Sequence, residues 1–191
     1  MPVWAAAAAK AATKALLGFE FSGTESLQLL GDDDPIDIPI ASAAVLGGGN
    51  QALAITYCSS SVGVDLTRNL EVWAFVSWRE RGSSSEDWLN LISGNGVGVY
   101  EISGEICISD FALDLLKRNL GILVSDNRVL FLEIVLPRGR ELAKRTSNEA
   151  FGVVDGLALI GEQAEIQVSA SPFQLKKTLQ TIRKLSNQKD F

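Results

Sequence analysis

Histidine is absent from this 191-residue sequence. Because histidine is the commonest general base and metal ligand, its absence excludes serine–histidine hydrolysis and histidine-bound metal chemistry. Cysteine occurs only as Cys58 and Cys107, whose separation matches no zinc-ligand spacing. No stretch reaches the roughly 20 apolar residues that a membrane-spanning helix requires. We therefore expect reduced thiols, no protein-bound metal and no membrane span.

Positive charge is outnumbered by negative charge, with 17 lysines and arginines against 23 aspartates and glutamates. The net charge of −6 and the pI near 4.7 argue against a nucleic-acid partner. Residues 171–191 carry five lysines and arginines, a pattern more typical of a solvated helix face than of an anion-binding tail. The N-terminal alanine run contains Lys10 and Lys14 and lacks the basic start of a signal peptide. The expected location is the cytoplasm.

The order of periodic segments predicts one α+β domain over residues 1–191. A chain of this length with 47% hydrophobic residues can bury a single core. Helical patterns cover residues 3–17, 109–120, 141–145 and a last segment from residue 171. Strand patterns cover residues 26–30, 36–40, 51–57, 70–78, 88–92 and 129–136, and residues 156–160 form a further buried segment. We expect a largely antiparallel or mixed sheet with helices packed on it.

Two of these segments carry more specific expectations. The alanines of the first helix favour tight packing on the sheet over contact with a ligand, and Gly18 is expected to end that helix. Apolar residues on both faces of residues 70–78 predict a central strand that is covered on both sides.

Residues 138–156 concentrate cations, amides and hydroxyls between two apolar runs. Within them, Lys144 and Arg145 are followed by Thr146 and Asn148. Two cations beside hydrogen-bonding side chains suit a ligand with carboxylates or phosphates, which arginine can bind with two parallel hydrogen bonds. The alternative is a helix–loop connection whose charges face water, because charge runs are mostly solvated.

Two other stretches are weaker candidates for a site. The glycines Gly94, Gly96 and Gly98 follow a strand and would let a ligand approach the backbone closely, although a hairpin turn or bulge is the commoner use of such a loop. No helix follows at once, so the loop is not a dinucleotide fingerprint. Asp65 and Thr67 combine a carboxylate and a hydroxyl, and the alternative is a turn that enters the next strand.

The ordered set of motifs resembles one family over most of the chain. The matching motifs are Pro2-Val3-Trp4 with the alanine run, Ala54-Ile55-Thr56, Asp65-Leu66-Thr67, the loop of Gly94, Gly96 and Gly98, and residues 139–154. Together they resemble the cobalt-precorrin-5B C1-methyltransferase family of anaerobic cobalamin biosynthesis, called CbiD. The last motif is the most specific, because it runs over consecutive positions. Ser93, Asn95 and Val99 depart from the usual glycine loop of that family, whose members are about twice as long.

The resemblance implies transfer of a methyl group from S-adenosylmethionine to a cobalt-corrinoid small molecule. It implies substrate binding by Lys144, Arg145, Thr146, Asn148, Asp65 and Thr67, and methyl-donor binding by Gly94, Gly96 and Gly98. The corrinoid carries many carboxylates, which the two cations suit. The chain would then be the N-terminal, corrinoid-handling part of such an enzyme or a shortened homologue. The alternatives are a non-catalytic binding or assembly subunit, and a fragment whose other half is a separate protein partner.

Overall fold

The chain folds as helices packed against one five-stranded sheet. The computed structural model describes residues 1–31, 34–59, 66–82 and 87–161. In these residues the helices are α1 (Pro2–Leu16), α2 (Asp110–Leu120) and α3 (Gly139–Ala143). The strands are β1 (Thr24–Leu27), β2 (Ile36–Pro39), β3 (Ser42–Leu46), β4 (Gln51–Tyr57), β5 (Glu71–Glu80), β6 (Leu89–Ser93), β7 (Gly96–Val97), β8 (Val99–Tyr100), β9 (Arg128–Val135), β10 (Val153–Val154) and β11 (Gly156–Leu157). The predicted α+β class is confirmed, and the helix predicted from residue 171 lies outside the described residues.

The main sheet has the strand order β3-β4-β5-β9-β6. All neighbouring strands are antiparallel except β6 and β9, which run parallel. The predicted largely antiparallel or mixed sheet is therefore confirmed, with β5 at its centre. The sequence pattern does not predict the edge strand β3, because alanine and serine have weak strand propensity and the segment is too short for a clear alternation.

Helix α1 lies directly on the inner face of the sheet. It contacts β3, β4, β5 and α2, and Ala5 to Ala9 are buried without exception. Because alanine side chains end at Cβ, the helix axis can come close to the similarly small Ala54 and Ala74 of the sheet. The helix ends as predicted at Gly18, which has a φ of 84°, and the amides of Gly18 and Phe19 donate to carbonyls of the last turn.

The outer face of β5 is only partly covered. Val72, Ala74 and Val76 face α1 and are buried, whereas Trp73 and Phe75 on the other face are half-buried. The prediction of a strand covered on both sides is therefore wrong for the outer face. The aromatic side chains shield one another there, with ring centroids 6.5 Å apart, so an apolar alternation arises without a second covering layer.

Helix α2 is tied to the β1–β2 hairpin by one buried amide. The side chain of Asn119 accepts from the Gln28 amide at 2.9 Å and donates to the Gln28 carbonyl at 3.0 Å. It also donates to the Leu115 carbonyl of its own helix at 3.0 Å. Asn119 thus pairs with the backbone after β1 as a neighbouring strand would. This explains a buried asparagine among the leucines of α2.

Replacing Asn119 with alanine should lower the free energy of unfolding by about 1–3 kcal/mol. The substitution removes the Asn119 side chain from the half-buried backbone amide and carbonyl of Gln28. Equilibrium urea unfolding followed by circular dichroism measures the change. Asn90→Ala, at an exposed strand position, is the matched control and should stay within about 0.5 kcal/mol of the wild type. Equal losses in the two variants would show that the Asn119 bonds contribute no special stability.

Candidate functional site

The candidate site lies at the edge of the sheet where β6 and β9 end. These strands are parallel, so their carboxyl ends meet at the same edge. The Gly94 amide donates to the Ile134 carbonyl at 2.8 Å, and the Leu136 amide donates to the Asn95 carbonyl at 2.9 Å. The glycine loop after β6 is therefore held against the segment that leads from β9 into α3.

Three glycines from distant parts of the sequence touch through their backbones at this edge. Gly96, Gly139 and Gly156 lie in β7, α3 and β11, and Gly156 pairs with Gly96 in a parallel ladder. A Cβ atom at Gly139 or Gly156 would overlap the Gly96 carbonyl oxygen. A Cβ atom at Gly96 would overlap the Leu136 carbonyl oxygen. Only glycine permits this approach of three chain segments.

The same contacts give the glycine loop a role in packing. The Gly98 amide donates to the Leu157 carbonyl at 2.8 Å, and a Cβ atom at Gly98 would lie 2.6 Å from Val153. A Cβ atom at Gly94 would lie 2.5 Å from Val135. The amides of Gly94 and Gly98 are thus used inside the fold. Binding of a methyl donor by these glycines stays a prediction.

A smaller cleft, of about 200 Å³, opens beside α3. Its lining combines two cations, two carboxylates and an amide with small apolar residues: Arg140, Ala143, Lys144, Asn148, Glu149, Val153, Val154, Asp155 and Gly156. Asn148 donates to the Gly156 carbonyl at 3.1 Å, which fixes its side chain at the wall. Lys144 is exposed and forms no ion pair within the described part of the chain. Its charge is available to an anion.

A larger cleft, of about 430 Å³, lies on the glycine-loop side. Its wall is mostly backbone and short side chains, from Ser93, Gly94, Asn95, Gly96, Val97, Val99 and Gly104, together with Arg140 and Asp155. This volume lies within the range of about 300–1,000 Å³ that small-molecule sites span. The cleft therefore has the size and polarity for one small polar ligand.

Arg140 and Asp155 line both clefts. Arg140 Nη2 lies 3.6 Å from the Asp155 carboxylate, and Arg140 Nε donates to the Asp155 carbonyl at 3.3 Å. The sequence prediction misses both residues. A signal for Arg140 is present, because it stands four positions before Lys144 and so shares its helix face. The sequence offers no comparable signal for Asp155, which enters the site only through the pairing of β11 with β7.

The other predicted site residues lie in different surroundings. Arg145 is exposed and lines neither cleft. Thr146 donates to the Ala143 carbonyl at 2.7 Å and accepts from the Asn148 amide, so its hydroxyl closes the end of α3. Thr67 lies in the turn before β5, and neither cleft includes it. Asp65 is outside the described residues. The structure thus brings Lys144 and Asn148 into one cleft and Gly94 and Gly96 into the other.

A second ion pair on α3 differs from that of Arg140. Arg138 donates to both carboxylate oxygens of Glu141, at 3.1 and 3.2 Å. The hydrogen bonds and the charge of Glu141 raise the pKa of Arg138, and those of Arg138 lower the pKa of Glu141. Bidentate pairs of this kind are directional. Arg138 is therefore already paired, and it lines neither cleft.

An α+β fold with two adjoining clefts at one edge of its sheet has the arrangement in which proteins commonly bind small molecules. The comparison with family models makes the assignment more specific: the CbiD model matches residues 1–168. The chain belongs to the CbiD family.

Curated relatives agree with this family. The chain is 56% identical to the cobalt-precorrin-5B C(1)-methyltransferase of Prochlorococcus marinus strain MIT 9313 and covers 51% of that protein. It is 51% identical to the enzyme of the same name from Synechococcus sp. strain CC9902, again over 51% of its length. Each alignment takes in 100% of this chain. The chain spans about half the length of the curated relatives it matches.

A solved structure supports the fold. The crystal structure of the cobalamin biosynthesis protein CbiD from Archaeoglobus fulgidus matches with a TM-score of 0.62 and 21% sequence identity. The match covers 95% of this chain and 57% of that one.

In the described residues, histidine, cysteine, aspartate and glutamate form no group of three that could hold a metal ion. No helix there is long and apolar enough to cross a bilayer.

Gly139→Ala should destabilise the protein at the upper end of the roughly 1–3 kcal/mol range for overpacking, because the added methyl meets a backbone carbonyl that cannot rotate away. Gly104→Ala is the matched control. Gly104 has a φ of 70° and open space around it, so alanine there should cost only about 1 kcal/mol of conformational energy. Thermal and urea unfolding compare the two. A loss for Gly139→Ala no larger than that of the control would refute the close backbone contact.

Proposed function

We propose that this chain binds a cobalt-corrinoid substrate and a methyl donor side by side, as part of a cobalt-precorrin-5B C1-methyltransferase. The observation that carries the proposal is the pair of clefts that meet at Arg140 and Asp155. Methyl transfer requires donor and acceptor in contact along one line. Two adjoining clefts of different chemistry support that arrangement. The names of the curated relatives support the reaction class.

The larger cleft is the proposed site of S-adenosylmethionine. That donor, when bound, supplies an electrophilic methyl group on a positively charged sulfur. The lining fits its chemistry, because the Asp155 carboxylate suits the ammonium of an amino-acid tail and Ser93 and Asn95 can bond to polar edges. Gly94 and Gly96 leave space in the cleft, since glycine has no side chain to fill it. These glycines therefore contribute by leaving space.

The smaller cleft is the proposed site of a carboxylate-bearing arm of the corrinoid. Lys144 supplies a cation with no competing partner in the described residues, and Asn148 supplies a fixed amide. Arg145, Thr146, Thr67 and Asp65 stay predicted substrate contacts, and the cleft lining gives them no further support. The macrocycle itself is larger than this cleft, so we expect only an arm to enter.

In this proposal the residues of the two clefts position the reactants. Holding two reactants in contact can lower a barrier by about 7–11 kcal/mol without any acid or base from the protein. The lack of histidine is therefore compatible with the reaction. Lys144 would orient the substrate through its carboxylate.

The direct test is an incubation of the 191-residue chain with cobalt-precorrin-5B and S-adenosylmethionine carrying a labelled methyl group. The proposal expects label at C1 of the macrocycle, detected by NMR and by a mass increase of one methylene group. Binding of the corrinoid without label would support a binding or assembly subunit in place of an enzyme. Failure to bind the corrinoid at all would overturn both readings.

Lys144→Gln should weaken corrinoid binding roughly fivefold, as expected for the loss of about 1 kcal/mol from one partly exposed charge pair. Arg118→Gln is the matched control, because it removes an equal charge from an exposed position on α2, outside both clefts. Its affinity should stay within about twofold of the wild type. Isothermal titration measures both variants. If the control loses as much, total charge rather than the cleft determines binding.

An assembly role is the second candidate, and one surface favours it. Phe151 and Ile102 have exposed fractions of 77% and 101% and lie beside the paired strands β8 and β10. Apolar side chains left in water close to a site are a common feature of protein interfaces. The proposed partner is a protein that completes the site. The proposed compartment is the cytoplasm, which the buried Cys107, a cysteine outside any disulfide among the described residues, supports.

A further inference from the structure

One ion pair contributes to the lining of both clefts. Arg140 and Asp155 each line both clefts, and their side chains are 63% and 62% exposed. The closest approach of the charged groups is 3.6 Å, which is too long for a hydrogen bond of good geometry. An exposed ion pair with one long contact contributes little and is readily exchanged. The ion pair that lines both clefts is therefore easily broken.

The neighbouring pair on the same helix provides the contrast. Arg138 and Glu141 are as exposed as Arg140 and Asp155, at 62% and 64%, but they form two hydrogen bonds at 3.1 and 3.2 Å. The fork of Arg138 is therefore saturated by one carboxylate. Arg140 donates one hydrogen bond, from Nε to the Asp155 carbonyl, and its terminal Nη groups can still donate to a better placed carboxylate.

The two members of the pair are held differently. Asp155 stands between β10 and β11 with a φ of 67°, and the pairing of both strands fixes its backbone. Arg140 lies on α3, one turn before Lys144, and its side chain lines both clefts. A rotation of the Arg140 side chain thus moves its charge between Asp155 and a ligand beside Lys144, with no change in the backbone.

We propose that Arg140 is a specificity-determining residue that exchanges Asp155 for a carboxylate of the substrate. A carboxylate arm in the smaller cleft would lie between Arg140 and Lys144. Asp155, released from the pair, would then face a cation in the larger cleft. The ligand class is an anionic macrocycle arm that ends in a free carboxylate, because a neutral amide cannot compete with Asp155. This inference rests on the proposed function and adds the residue that selects the ionised arm.

The test compares two corrinoids in isothermal titration with the 191-residue chain. Cobyrinic acid carries arms that end in free carboxylates, and cobinamide carries the same arms as amides. Arg140→Gln should weaken cobyrinic acid binding about tenfold, as the loss of one charge-assisted contact does, and leave cobinamide binding unchanged. Arg138→Gln is the matched control of equal exposure and should alter neither affinity by more than about twofold.

Asp155→Asn gives a result of opposite sign. Asparagine also tolerates a positive φ and keeps the backbone carbonyl that Arg140 contacts, so the fold should be retained. Because the variant removes the competing carboxylate, it should bind cobyrinic acid more tightly than the wild type. If the ion pair has only a structural role, both Arg140→Gln and Asp155→Asn should bind cobyrinic acid more weakly than the wild type. Circular dichroism melting confirms that each variant is folded.

Three outcomes overturn the inference. If Arg140→Gln binds cobyrinic acid as tightly as the wild type does, the exchange is refuted and the proposed function stays intact. Weaker binding in Asp155→Asn would assign the pair a structural role. Failure of the wild-type chain to bind either corrinoid would overturn the proposed function, and the inference with it.

Discussion

The Gly96 carbonyl is the point on which the candidate site depends. The backbones of Gly139 and Gly156 come so close to it that neither position can carry a Cβ atom. This contact joins the loop after β6, the start of α3 and strand β11, which are far apart in the sequence. A hydrophobic core could hold the three segments near one another, but only bare backbone lets them touch. Both clefts lie against this contact, and their shapes follow from it.

Charge at this edge is arranged by the same geometry. Arg138 immediately precedes α3 and Arg140 lies two positions further on, so the two side chains point in different directions. Arg138 finds a local partner in Glu141, within its own helix. Arg140 turns toward the junction of β10 and β11, where it forms an ion pair with Asp155. One arginine thus stabilises the helix end, and the other stands at the boundary between two spaces that a substrate and a donor could occupy.

Much of the framework could be predicted from local patterns. The 3.6-residue spacing of leucines with Ser109 at the start and Gly121 after the end identifies α2, and the side chain of Ser109 does accept from the Ala112 amide. The alanine run and Gly18 identify α1 and its end. Local patterns do not predict the short strands β7, β8, β10 and β11. A strand of two residues shows no periodicity, and partners elsewhere in the chain decide its pairing.

The sequence by itself determined the class of fold, the family and the segment in which cations gather. Composition, periodicity and a run of consecutive matching residues are local properties, which a single chain displays without folding. The tertiary structure decided which of those cations share a cleft. Lys144 and Arg145 are neighbours in the turn that ends α3, yet only Lys144 lines a cleft. Asp155 joins Arg140 only because β11 pairs with β7, a contact between distant segments that no local pattern encodes.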